Sequence, residues 1–279
     1  MRRKNYSIII TLLLFISISV YASGYQKKDV IKKQFDFPAH GSLKLHNRNG
    51  NIIIHSWDKQ SIDMEAVKWV RSTNTRRAEH FFSKLNVKIE KGPGMLSIVV
   101  EYPKKEFESR WGPDIEFKVD FELYVPREIN LDIYSRNGEI DIEDIAGKAR
   151  VNSRNGNINL NSVDGDMDIY SRNGKIKMAD IYGALEVETR NDDVTVDFRQ
   201  VPLKDRVEIS SRNGEIKIKF PQDFSAEISI ETDSGEIKTH FPIMISGRIK
   251  KGLLQGKVNN GGVPVKISTR NGDIELFTY

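Results

Sequence analysis

Residues Leu131 to Phe198 read LDIYSRNGEIDIEDIAGKARVNSRNGNINLNSVDGDMDIYSRNGKIKMADIYGALEVETRNDDVTVDF, and the pattern returns every eighteen residues. Gly138, Gly156 and Gly174 close three Arg-Asn-Gly triplets, and Gly147, Gly165 and Gly183 fall midway between them in a second kind of turn. Between the turns apolar residues alternate: Ile140 and Ile142, Ile158 and Leu160, Met167 and Ile169, Ile176 and Met178, Leu185 and Val187. Period two is the mark of strands with one buried face. A repeat of this kind is decisive for the architecture.

Two all-β folds can use it. An Asn-Gly pair between alternating segments is a strong hairpin signal, so an antiparallel meander stacked into a β-sandwich is one reading. The other is a β-solenoid or β-roll-like stack of 18-residue coils, two short strands per coil, in which like turns lie on like turns around one narrow core. Two turn chemistries that alternate without drift in spacing favour the solenoid. In that fold Asn137, Asn155, Asn173 and Asn191 form an internal ladder, each bonded to its copy in the next coil about 4.8 Å away. Ser135, Ser153, Ser171 and Thr189 share the parity of the buried positions, and their hydroxyls are expected to satisfy turn amides.

Arg136, Arg154, Arg172 and Arg190 point outward one coil apart, so the repeat builds a cationic stripe. One reading makes it a site for a polyanion, a phosphate-bearing envelope polymer or a lipid head group. The plainer reading pairs each arginine with a nearby carboxylate such as Glu139. The adjacent outward column, Glu139, Asn157, Lys175 and Asp193, has mixed sign and does not extend the stripe.

Outward from the array, the chain opens MRRKNYSIIITLLLFISISVYASG, with basic Arg2, Arg3 and Lys4, an apolar run from Ile8 to Val20 and small residues around Ala22. Residues 1–22 are expected to be a secretory signal peptide, cleaved before Ser23. That implies a periplasmic, envelope or surface location and no transmembrane domain after cleavage; retention as an N-terminal anchor is the other outcome. There is no cysteine. An exported chain of this kind is therefore held by burial and strand pairing alone. The formal charge of +4 includes the three basic residues of that leader, without which the chain is close to neutral. Near-neutrality argues against non-specific nucleic-acid binding.

Residues 23–130 read as an N-terminal β part continuous with the array, since Asn47-Arg48-Asn49-Gly50 followed by Ile52 and Ile54 is another copy of the element. STNTRRAEHFFSKLN carries the one helix, about residues 73–85, with Ser72, Thr73 or Thr75 as cap and Ala78, Phe81, Phe82 and Leu85 on one face. It suits a cover over a sheet edge or core end, or a membrane-surface contact through Arg76, Arg77, Phe81 and Phe82. Lys104 to Asp114 reads as a flexible loop containing Trp111, either stacked on the core or available to a sugar ring. The array spans 131–279, regular over 131–198 and looser over 199–279, where Arg212-Asn213-Gly214, Asp233-Ser234-Gly235 and Arg270-Asn271-Gly272 recur at unequal spacing. Gly252 to Pro264 reads as a turn-rich connection.

No catalytic constellation emerges. His40, His46, His55, His80 and His240 lie singly, without metal-ligand spacing, although His46 and His55 flank one turn. Asp192 and Asp193 stand where Arg-Asn-Gly becomes Arg-Asn-Asp, and Asp144 and Asp180 end equivalent strands two coils apart. These acids are the only hint of a polysaccharide-cleaving site. The turns lack the Gly-Gly-x-Gly-x-Asp of calcium-binding rolls. Neither cofactor nor metal is expected.

The leader, the early NRNGNI, the single helix, the phrase FELYVPREINLDIYSRNGEIDIEDIAGKARVNSRNGNI and the closing GGVPVKISTRNGDIEL together resemble the bacterial putative-adhesin family of LiaG-like proteins, a domain of unknown function. The resemblance implies an exported β-strand-repeat protein of the cell envelope, in some bacteria near envelope-stress signalling genes, and supplies no catalytic residues. The expectation is a non-enzymatic envelope or surface binding or scaffold module, its partner an anionic envelope polymer, a glycan or another envelope protein. The alternatives are a β-helix enzyme acting on an envelope polysaccharide and an accessory protein of a stress system.

Overall fold

The computed structural model describes residues 24–103, 114–202, 205–245 and 250–279. The leader and Trp111 lie outside them. The array is a β-solenoid. Strand Ala149–Asn155 runs parallel to Ile129–Asn137 on one side and Met167–Asn173 on the other, each residue opposite its copy eighteen positions away. Ile158–Asp164 pairs with Ile140–Ala146 and Ile176–Tyr182 in the same way. The hairpin reading therefore fails for the repeat. Inward aliphatics of both sheets form one buried core from Leu43 to Leu276.

The turn explains why Asn-Gly does not make a hairpin here. Gly156 has φ +133, and a Cβ on it would collide with the carbonyl of Gly138 below. Glycine adopts that conformation and that approach without a Cβ penalty. Its N–H donates to Asn173 O at 3.0 Å, so the turn bonds between coils instead of across itself.

Nine coils stack among the described residues, and their spatial order is not the chain order. At the N-terminal side, Gly41–His46 and Ile52–Trp57 lie against the Ile129–Asn137 coil. Met95–Glu101 and Ile115–Pro126 add the next coil outward. At the far side the coil of Val263–Asn271 and Ile274–Thr278 inserts between that of Val207–Asn213 and Ile216–Phe220 and that of Ala226–Ser234 and Ile237–Thr239. Coils thus continue beyond Phe198, with the irregular sequence spacing absorbed by the connections. Gly252 to Pro264 is not merely a turn-rich connection, since it contains strand Leu253–Val258, antiparallel to Ala226–Ser234.

Antiparallel strands finish the ends. Tyr25–Asp36 pairs with Ser61–Ser72, which pairs with Ile115–Pro126, and Asn86–Gly92 pairs with Met95–Glu101. The helix is Thr75–Lys84. Its cap is Asn74, whose side chain accepts the Arg77 N–H at 3.0 Å, rather than Ser72, Thr73 or Thr75. Ser72 Oγ instead accepts the Asn74 N–H. Ala78, Phe81 and Phe82 are buried, with the Phe81 ring 4.8 Å from that of Phe117. The helix therefore covers the end of the core, and Phe81 and Phe82 are spent there instead of facing a membrane.

Candidate functional site

The asparagine ladder builds the candidate edge. Asn137 Nδ2 donates to Asn49 Oδ1 at 2.7 Å, Asn155 to Asn137 at 2.8 Å, Asn173 to Asn155 at 2.7 Å and Asn191 to Asn173 at 2.8 Å. Asn213 and Asn271 extend it, to Asn191 at 2.8 Å and Asn213 at 2.7 Å. All the bonds run in one direction. At the start Asn49 donates to Phe117 O at 3.2 Å. Locking this turn in the seven coils that carry the asparagine holds the preceding arginine at the same place, one strand spacing from its neighbours.

Arg136, Arg154, Arg172 and Arg190 are thus brought together as a column. Arg212 and Arg270 prolong it, and both were visible in the sequence as looser copies of the triplet. At one end the Arg48 guanidinium lies 4.3 Å from the Tyr102 ring centroid. At the other Arg270 reaches Asp233 at 4.0 Å, the residue that takes the arginine's place in the last coil. Between them Arg136, Arg154, Arg172, Arg190 and Arg212 form no ion pair among the described residues. The expected pairing with carboxylates is absent; Glu139 accepts from Asn159 Nδ2 at 2.9 Å. Guanidinium groups held at the strand spacing of about 4.8 Å would repel by at most about 1 kcal/mol per neighbouring pair in water.

Arg136 and Arg154 stand between two open grooves. One, about 800 Å³, is also lined by His46, Arg48, Tyr102 and Tyr134. The second, about 580 Å³, runs over Asn137, Asn155, Asn173 and Arg172. The His46 ring packs 5.4 Å from that of Tyr134, and burial pushes its pKa down.

The serines behave differently from expectation. Ser135, Ser153, Ser171, Thr189 and Ser211 are buried, and their hydroxyls have no hydrogen-bond partner among the described residues. The turn amides do not need them, because carbonyls of the next coil take those bonds, as Asn155 O does for Gly138 N–H at 3.1 Å. Only Thr232 and Thr269 of this column bond, donating to Gly272 O at 3.0 Å and Gly214 O at 3.2 Å.

The carboxylates flagged in the sequence are engaged. Asp144 accepts from Arg127 Nε at 2.9 Å and from Ser56 Oγ at 2.8 Å. Asp180 accepts from Ser162 Oγ at 2.8 Å and Arg199 at 3.4 Å, and Asp164 between them holds both Arg199 and Arg127. Asp192 takes the glycine position at φ +117, its carboxylate accepting the Gly174 N–H at 2.6 Å. Asp193 bonds Lys175 at 3.1 Å and the Glu215 N–H at 3.1 Å, which together hold its pKa below the ordinary carboxylate value. His46 and His55 do not meet: they lie on strands of different sheets, and His55 contacts Tyr124 and Glu143.

The model of the family described as Toastrack DUF4097 matches residues 98–276. The chain belongs to that family. No curated protein matches this Toastrack chain. Among solved structures it is similar to a putative cell adhesion protein from Clostridium sporogenes, at 11% identity over 91% of this chain and 100% of the other, with a TM-score of 0.34. A putative adhesin from Bacteroides fragilis gives 10% over 90% and 97%, TM-score 0.38. A putative lipid binding protein from Parabacteroides distasonis gives 13% over 88% and 96%, TM-score 0.30. Likenesses of this size say nothing of a ligand.

Proposed function

We propose that the chain is a non-enzymatic, exported envelope or surface module that binds an anionic polymer along its arginine edge. The observation that carries this reading is the run of five arginines in register on adjacent coils without an ion-pair partner among the described residues. A row of cations set in register by the backbone carries self-repulsion that an extended anion relieves at several points together. Open grooves on both sides of Arg136 and Arg154 give such a chain room to lie. Guanidinium groups suit phosphate or carboxylate oxygens, which they can meet with two parallel bonds. Export rests on the basic and apolar character of residues 1–22.

Against the enzyme reading, Asp144, Asp164 and Asp180 are tied to Arg127 and Arg199. Polysaccharide hydrolysis by paired carboxylates needs both of them turned toward the glycosidic bond, and these are already bonded to guanidinium groups. The test is retention of the chain from Ser23 onward on immobilised polyphosphate and on polyglycerol phosphate, beside the variant carrying Arg136→Gln, Arg154→Gln, Arg172→Gln and Arg190→Gln. Retention that falls with salt and at least tenfold in the variant supports the reading. Equal behaviour of the two proteins, or no retention, overturns it.

A further inference from the structure

A second face carries chemistry of a different kind. Strand Ile52–Trp57 lies between Ile115–Pro126 and Ile140–Ala146, which sets His55 beside Tyr124 on one side and Glu143 on the other. These side chains point outward, near the end of the strand away from the Asn-Gly turn. The rings of His55 and Tyr124 lie 5.3 Å apart and those of Trp57 and Tyr124 5.6 Å apart, forming a short aromatic row on the sheet surface. Tyr124 is 39% exposed, large for an aromatic residue inside a sheet.

The row is held in place at its polar edges. Trp57 Nε1 donates to Ser61 O at 2.8 Å, Tyr124 Oη donates to Glu122 at 3.2 Å, and His55 Nδ1 meets Glu143 at 3.1 Å. Tyr124 is the exposed ring of the row. Lys59 already places its ammonium 4.3 Å from the Trp57 ring centroid, so this face accepts a cation. Around it Asp63 lies opposite Tyr124 and Glu65 opposite Glu122 in the strand register, with Glu65 paired to Lys32 at 2.8 Å. Carboxylates outnumber cations here, so the polyanion proposed for the arginine edge is repelled from this face.

We infer that this aromatic row is a second binding site, for an amino-hexose chain with free amines. A pyranose presents a C–H face that packs on Tyr124, hydroxyls that donate to Glu122 and Glu143, and an ammonium that replaces that of Lys59 over Trp57. A neutral hexose chain satisfies the stacking and the hydroxyl bonds and lacks the cation. This assignment is independent of the arginine edge.

The experiment titrates the chain from Ser23 onward with glucosamine hexamer, following tryptophan fluorescence and calorimetry, with cellohexaose as the uncharged comparison. Tyr124→Ala and Glu122→Gln are compared with the native protein, their folding checked by thermal midpoint. Glucosamine hexamer is expected to bind at least tenfold more tightly than cellohexaose. Both substitutions are expected to weaken it at least tenfold, while the four-arginine variant binds as the native chain does. Failure of the native chain to bind overturns the assignment, as does equal affinity for the two hexamers. Weakening by Glu122→Gln with none by Tyr124→Ala also overturns it, since that marks mere attraction to acidic groups.

Discussion

The carboxamide of Asn155 donates to that of Asn137, one coil below, at 2.8 Å, and accepts from Asn173 above at 2.7 Å. Removing one rung leaves a donor and an acceptor without partners in a partly buried turn. Asn155→Ala is expected to lower unfolding free energy by about 1–3 kcal/mol. Asn191→Ala, at a more exposed rung, is expected to cost less. Urea unfolding of both variants measures the difference.

Ser153 presents the opposite case. Its buried hydroxyl has no partner among the described residues, so its removal gives up no bond. Ser153→Ala is expected to be neutral or to stabilise by up to about 1 kcal/mol. Thr269→Val, which deletes a bond to Gly214 O, is expected to destabilise by about 1 kcal/mol. A thermal denaturation series that ranks them the other way refutes the burial argument.

Gly156 and Gly92 separate backbone requirement from mere occurrence. Gly156→Ala meets both a positive φ and the Gly138 carbonyl, and is expected to cost more than about 1 kcal/mol. A Cβ at Gly92 meets only the Met95 side chain, at 3.8 Å. Gly92→Ala is expected to stay within about 0.5 kcal/mol of the native protein. Midpoints in guanidinium chloride distinguish them.

Arg172 sits between Arg154 and Arg190, so its charge opposes folding. Arg172→Gln is expected to raise the thermal midpoint at low ionic strength and to have a smaller effect in 1 M salt, where screening shortens the reach of the repulsion. A midpoint lowered equally at both ionic strengths contradicts the unpaired column.

Tyr279 Oη donates to Asp197, and burial together with that carboxylate pushes its pKa up to about 12 from an ordinary value of 10.0. A raised folded-state value means the protonated phenol is favoured by folding. The stability it contributes is complete below pH 10 and is lost as pH rises toward 12. Tyr279→Phe is expected to flatten this part of the alkaline unfolding profile, which circular dichroism against pH reads directly.

How much of this was legible beforehand follows from which interactions are local. Alternating aliphatics assign each residue to a face, and Arg-Asn-Gly at constant spacing puts like turn on like turn. The repeat, the asparagine ladder and the arginine column were therefore readable from residues 131–198 alone, and the helix from its apolar stripe. The unbonded serines were not, because a hydroxyl at a buried parity says nothing about where its partners are. That the arginines do not pair with Glu139 depended equally on geometry, where Glu139 instead accepts from Asn159 of the next coil.

By itself the sequence determined the coil: its two strands, its two turns and the side each residue shows, all set by neighbours within eighteen positions. Only the tertiary structure decided the order of coils at the two ends. Any coil with alternating aliphatics and an Asn-Gly turn offers its neighbour the same ridge of side chains and the same backbone bonds, so pairing by pattern is degenerate. Connections and antiparallel end strands break the tie, placing Val263–Asn271 between Val207–Asn213 and Ala226–Ser234. That same choice set Tyr124 against His55, 69 residues earlier in the chain, and so assembled an aromatic surface that no local pattern announced.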